Sequence, residues 1–320
     1  NMISSTDQGE GVLLVSDMTN RVNWGARGAS LALREMLEGS FSRVGALSSR
    51  YADEVRVPID TLLPESVALP LIRRRGRNPF LSAYYRFERA AGMKLDYIQE
   101  SPEASADNII KNKSKKVIRN VFNNVKAHNH IVVDGNGDLI FRETPARINH
   151  FNLAIVELAS SLGKEVHYVN SIFSDCPATG HNHEFFDTVV ETLSKCSTVT
   201  LRDPHSVRFA EKEAPELNVE YVPDSLFYWY DRLQGVESDL PSNGDFVIPF
   251  PRESISRFDQ IRFDEPYVCI AGGSRAAWDQ EASVAPYAEL VRQIKTLGLN
   301  VYLTPTCSGD EFMYEVAANT

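Results

Sequence analysis

Six short apolar runs in this 320-residue sequence end in polar or glycine residues of types that could do chemistry. The first delivers Asp17, then Asn23, Trp24, Gly25, Arg27 and Gly28. Later runs deliver Asp134-Gly135-Asn136-Gly137-Asp138, then Asn170 and Ser171, then Arg202 and Asp203 with Ser206 behind them, then Pro223-Asp224-Ser225. A last run delivers Gly272, Gly273, Ser274 and Arg275. Carboxylates such as Asp17, Asp138 and Asp224 suit general acid–base work. Arg202 stands between the apolar Val199-Thr-Leu201 and a helix opened by Pro204, where guanidinium charge adds to the positive end of a helix. That combination is an anion site for a carboxylate or phosphate, or else an ion pair to Asp203 or Asp224 that ties two loops together. Gly135-x-Gly137 could bring a ligand against backbone amides. Each of these loops also has a plainer reading, because polar residues and glycines make turns and cap helices in any protein.

Other signals carry less. Gly25-x-x-Gly28 is neither a Walker loop nor a dinucleotide fingerprint, and no Gly-x-Ser-x-Gly elbow supports serine catalysis. Cys176, His181 and His183 lie near one another in sequence but lack a fourth ligand at the spacing zinc sites use, so no metal is expected. His128 and His130 flank a strand start and read as surface residues. Arg73-Arg-Arg-Gly-Arg77 is a basic cluster that is either a solvated loop or a contact for an anionic glycan or lipid-linked acceptor.

The elements that must position these residues alternate between short β-branched runs and amphipathic stretches, the pattern of βα units around a parallel sheet. Strands are predicted over 11–18, 130–134, 164–173, 197–201, 219–222, 267–271 and 300–304, with a further short one near Val55. Helices are predicted over 29–37, 81–91, 104–127, 145–162, 183–195, 204–213, 284–297 and 310–318. Residues 19–28 and 135–138 read as loops. Residues 231–265 lack periodicity and read as an interdomain crossing between a Rossmann-like domain over 1–230 and a second over 266–320. Two strands and two helices make half of such a domain, so the second is expected to be truncated, short by about 80–100 residues of a usual domain.

Lysine and arginine total 33 against 43 aspartates and glutamates, a net charge of −10 (33 − 43), which disfavours nucleic acid or an anionic membrane as a general partner. No apolar run approaches the roughly 20 residues that span a bilayer. Four dispersed cysteines without Cys-x-x-Cys spacing suit reduced thiols and a cytoplasmic location. Oligomeric state is not legible.

Asn23-Trp-Gly-Ala-Arg-Gly-Ala-Ser30, Asp134-Gly-Asn-Gly-Asp138, Leu201-Arg-Asp-Pro-His-Ser206 and Val222-Pro-Asp-Ser225 together resemble the polysaccharide pyruvyl transferase family. The resemblance runs from Gly11 to about Phe227. It implies two Rossmann-like domains in a glycosyltransferase-B-like arrangement. It also implies transfer of a pyruvyl group from phosphoenolpyruvate, as co-substrate, to sugar hydroxyls of a polysaccharide or its precursor, with a ketal and phosphate as products and no cofactor. By that resemblance Arg202 binds the donor, while a second arginine and a catalytic histidine belong to a later part of the second domain. Gly272, Gly273, Ser274 and Arg275 could complete the donor site. Asn23, Trp24, Gly25, Arg27, Gly135, Asn136, Gly137, Asp203 and Ser206 would line the acceptor cleft. Pyruvyl transfer by the 320 residues alone is expected to be absent. Alternatives are a nucleotide-sugar glycosyltransferase of the same plan and a non-catalytic glycan-binding relative.

Overall fold

A computed structural model describes residues 11–20, 23–54, 96–138, 145–174, 182–233, 265–272, 280–304 and 312–320. The expected strand near Val55, the helix over 81–91, the arginine cluster at 73–77, Cys176, His181, Gly273, Ser274, Arg275 and most of the expected crossing lie outside those residues. The chain divides into two compact units, Asn1–Thr19 with Ala29–Tyr228, and Asn20–Gly28 with Trp229–Thr320.

The first unit is built on β1 (Gly11–Asp17), β2 (Arg43–Ser48), β3 (His130–Asp138), β4 (Glu165–Ile172), β5 (Thr198–Leu201) and β6 (Val219–Tyr221). All pairings are parallel, in the order β2-β1-β3-β4-β5-β6. The order reverses between β1 and β3, which makes that point the crevice where open α/β sheets bind ligands. Helix α1 (Trp24–Ser40) covers one face, packing Leu33 and Leu37 on Val12, Leu14 and Val132. The opposite face carries α2 (Tyr51–Glu54), α3 (Pro102–Lys111), α4 (Lys116–Ala127), α5 (Arg147–Ser161), α6 (His183–Leu193) and α7 (Pro204–Glu213) over Leu13, Val15, Ile131 and Val133. Alternate residues of β1 and β3 thus feed two different cores, as the two-residue period of a strand requires.

Two expectations are corrected and one strand is added. Residues 24–28 belong to α1 rather than to a loop, because Asn23 Oδ1 accepts the Ala26 amide at 3.0 Å and starts the helix there. The single helix expected over 104–127 is two, α3 and α4. Ser101 caps the first, and its end at Asn112 is fastened by the Asn112 side chain on the Asn108 carbonyl at 2.9 Å, the local competition with helix bonding that asparagine offers. The chain near Phe41 holds a strand, β2, that its sequence did not announce, because Gly45 and Arg43 interrupt the apolar run.

In the second unit β7 (Tyr267–Ala271) and β8 (Asn300–Thr304) pair in parallel from Tyr267↔Asn300 to Ala271↔Thr304. Helices α9 (Gln280–Thr296) and α10 (Phe312–Ala318) supply Ala288, Val291, Phe312, Met313 and Val316 to its core. The short helix α8 (Tyr230–Leu233) follows a 3₁₀ turn at Ser225–Trp229. No helix among the described residues is long and apolar enough to cross a membrane.

Candidate functional site

The carboxyl ends of β1, β3 and β4 are irregular at the same level. Pairing shifts between Val15 and Asp17, between Asp134 and Gly137, and between Tyr168 and Ser171. At two of these bulges a non-glycine residue has positive φ: Ser16 at 63° and Asn170 at 58°. Serine there costs free energy that surrounding contacts must hold in place, and such positions gather at functional edges. The contacts are visible. Alternation would send Ser16 toward α1 with Val12 and Leu14, but its hydroxyl instead donates to Asn152 Oδ1 of α5, on the other face, at 2.5 Å. Asn170 departs in the opposite sense and donates from Nδ2 to Asp134 Oδ1 at 3.2 Å.

Asp134 is 1% exposed and lies on the α1 side of the sheet. Ser30, on α1, donates to its Oδ2 at 2.8 Å and accepts the Met18 amide at 3.1 Å. One buried carboxylate thus joins α1, β3 and β4 at the switch point, and Asn170 Oδ1 remains buried there without a hydrogen-bond partner. Ser16 and Asn152 were not singled out from sequence, while Asp134 and Ser30 entered only as members of Asp134–Asp138 and Asn23–Ser30 and without roles of their own. The signal that could have found Asn152 is an asparagine inside the otherwise apolar Phe151–Ile155 stretch.

Asp17 does not point into open solvent. Its Oδ1 accepts the Thr19 amide and its Oδ2 the Thr19 hydroxyl, both at 2.9 Å, closing the turn after β1. Gly135 to Asp138 lie in β3 and not in a turn, because parallel pairing with β4 continues to Asp138↔Ile172 past the bulge. The close approach at Gly135 is to protein. A Cβ there would lie 2.8 Å from Ser171 Cβ and 2.8 Å from Tyr168 Cε1, so those residues fill the space a ligand was expected to use. Burial pushes the Tyr168 hydroxyl above its usual range.

Arg202 follows β5, its amide bonded to the Ser171 carbonyl at 2.9 Å. Its Nη1 donates to Asp224 Oδ2 at 2.9 Å, and both side chains are about one-fifth to one-quarter exposed, at 24% and 21%. The other carboxylate oxygen, Asp224 Oδ1, accepts the Leu226 amide at 3.0 Å. Of the two sequence readings of Arg202, the loop-tying ion pair is what this structure contains. Asp203 caps α7, accepting the Ser206 amide at 2.9 Å and the Ser206 hydroxyl at 2.6 Å. Burial opposes its charge, but the Ser206 hydroxyl and the amides of Ser206 and His205 outweigh that and hold its carboxyl below the usual range. Ser206 Oγ in turn accepts the Phe173 amide at 2.9 Å, so these two residues build the β4–β5 edge. Ser225 reaches back to the Ala29 carbonyl on α1 at 2.8 Å, drawing the loop after β6 across the carboxyl edge.

No protein-family model, no curated protein and no solved structure matches this chain. Its site is therefore read from its own geometry. Trp24 is exposed, and Asn23, Gly25, Arg27 and Gly28 occupy the cap and first turns of α1. Gly272 directly follows β7. The edge can bind an anion at Arg202 if Asp224 yields, which would leave the Asp224 carboxylate beside that anion.

Proposed function

We propose that this chain is a pyruvyl transferase that takes the pyruvyl group of phosphoenolpyruvate to hydroxyls of a cytoplasmic saccharide precursor. The observation that supports this reading most is the Arg202–Asp224 pair at the carboxyl end of the sheet, fixed from behind by the Asp203–Ser206 cap. Phosphoenolpyruvate carries a carboxylate and a phosphate on a small frame, so a planar guanidinium at a strand end is suited to one of them. Displacing Asp224 by that anion would release a carboxylate next to the donor, where an attacking sugar hydroxyl must lose a proton. In ketal formation the two hydroxyl oxygens bond to the pyruvyl C2, the C2–O bond to phosphate breaks, one hydroxyl proton goes to the methylene carbon and the other leaves with the inorganic phosphate. The resemblance around Arg202-Asp-x-x-Ser206 and Pro223-Asp224 points the same way.

Calorimetric titration with phosphoenolpyruvate tests the donor site, with a uridine diphosphate sugar as the competing ligand. Binding of phosphoenolpyruvate that is lost in Arg202→Ala and impaired in Arg202→Lys supports the reading. Binding of the nucleotide sugar alone would replace it with a glycosyltransferase. Affinity for glycans with no affinity for phosphoenolpyruvate would replace it with the non-catalytic reading.

A further inference from the structure

We propose that His130, Glu165 and His167 form a binding site for a divalent transition metal of the zinc class. They lie at the amino-terminal edge of the sheet, the end opposite to Arg202 and Asp134. His130 opens β3 and Glu165 opens β4, and the two are directly paired in register, with His167 two residues further along β4. Two-residue alternation puts all three on the α1 face. His130 Nδ1 is 3.3 Å from Glu165 Oε2, and His167 Nε2 is 3.6 Å from Glu165 Oε1. One ligand atom from each residue falls within a 4.8 Å span. Zinc bonds of about 2.0–2.1 Å at tetrahedral angles place ligand atoms about 3.4 Å apart, and each histidine nitrogen is near that distance from one of the two Glu165 oxygens.

Three further features favour a cation here. The His167 Nε2 atom is buried and has no hydrogen-bond partner, which is costly unless something occupies its lone pair or takes its proton. The two imidazoles are fixed in near-parallel planes, 19° apart with centroids at 6.1 Å, and the Phe41 ring walls His130 at 5.2 Å. Glu165 is 49% exposed, so the metal would have a path in and an open fourth position for water or a small ligand. The neighbouring Lys164 ammonium is directed to the Lys126 carbonyl at 2.9 Å. Both histidines are buried, which corrects the expectation that His130 is a surface residue; His128 is buried as well. The cluster was invisible in sequence because Glu165 lies 35 positions after His130, and only strand register unites them.

Chelator-treated 320-residue protein should be titrated with cobalt(II) and zinc(II) alone. The expected result is one equivalent of cobalt giving the intense visible d–d bands of tetrahedral nitrogen–oxygen coordination, displaced by zinc. Glu165→Gln retains shape at a half-exposed position and should weaken zinc at least about tenfold, the cost seen even for lesser partners of a metal site. His167→Gln should do the same, with circular dichroism verifying the fold of each variant. Absence of the tetrahedral spectrum, a thiolate charge-transfer band, or undiminished affinity in folded Glu165→Gln would overturn the proposal.

Discussion

Arg202 and Asp224, 22 residues apart, are joined by a 2.9 Å hydrogen bond that ties the end of β5 to the loop after β6. An incoming anion must compete with Asp224 for the guanidinium. Asp224→Asn removes the competing charge and should tighten phosphoenolpyruvate binding several-fold in a calorimetric titration. Weaker binding would mean that the carboxylate orients the guanidinium for the ligand instead. The pair is partly solvated, so its loss should cost only about 1 kcal/mol of stability by urea unfolding.

Ser16 holds its left-handed backbone through one short bond to Asn152. Asn152→Ala strands a buried hydroxyl and should destabilise the first unit by about 1–3 kcal/mol. Ser16→Gly loses the same bond but relieves the backbone, so it should be less harmful than Ser16→Ala, which keeps the strained φ without the contact. Chemical denaturation of the three variants checks the order. Equal losses for Ser16→Gly and Ser16→Ala would show that the backbone stores no strain there.

Gly135→Ala places a methyl 2.8 Å from Ser171 Cβ and Tyr168 Cε1. Both neighbours are fully buried and cannot swing into solvent. Overpacking of this kind should cost about 1–3 kcal/mol, read as a lower urea midpoint. An unchanged midpoint would mean that β4 shifts freely at its bulge.

His150, at the start of α5, packs its ring 5.0 Å from Phe185. Burial lowers its pKa below 6.5, with the Glu100 charge opposing and the Arg147 charge assisting. A base with a depressed folded pKa is protonated first in the unfolded chain, so stability should fall as pH drops below about 6.5 and continue falling until the folded pKa is passed. His150→Gln should flatten that part of a thermal-midpoint profile between pH 7 and 5. A slope identical to that of the parent protein would assign the acid sensitivity to another group.

Local chemistry was legible in the residues themselves. The apolar runs around Val12–Val15, Ile131–Val133 and Val199–Leu201 mark strands because their faces can be buried on both sides. Asp203-Pro204 marks the start of α7 because cap and fixed φ act within four residues. What tertiary structure decided depends on groups distant in sequence. Ser16 takes an unfavourable φ only because Asn152 waits on α5, 136 residues away, and Gly135 is obligatory only because Tyr168 and Ser171 lie across β4. Arg202 is equally an anion site or a tie until the loop after β6 brings Asp224 to it. His130, Glu165 and His167 become one cluster through parallel register alone, since register is set by the packing of whole strand faces and not by any residue's own preference.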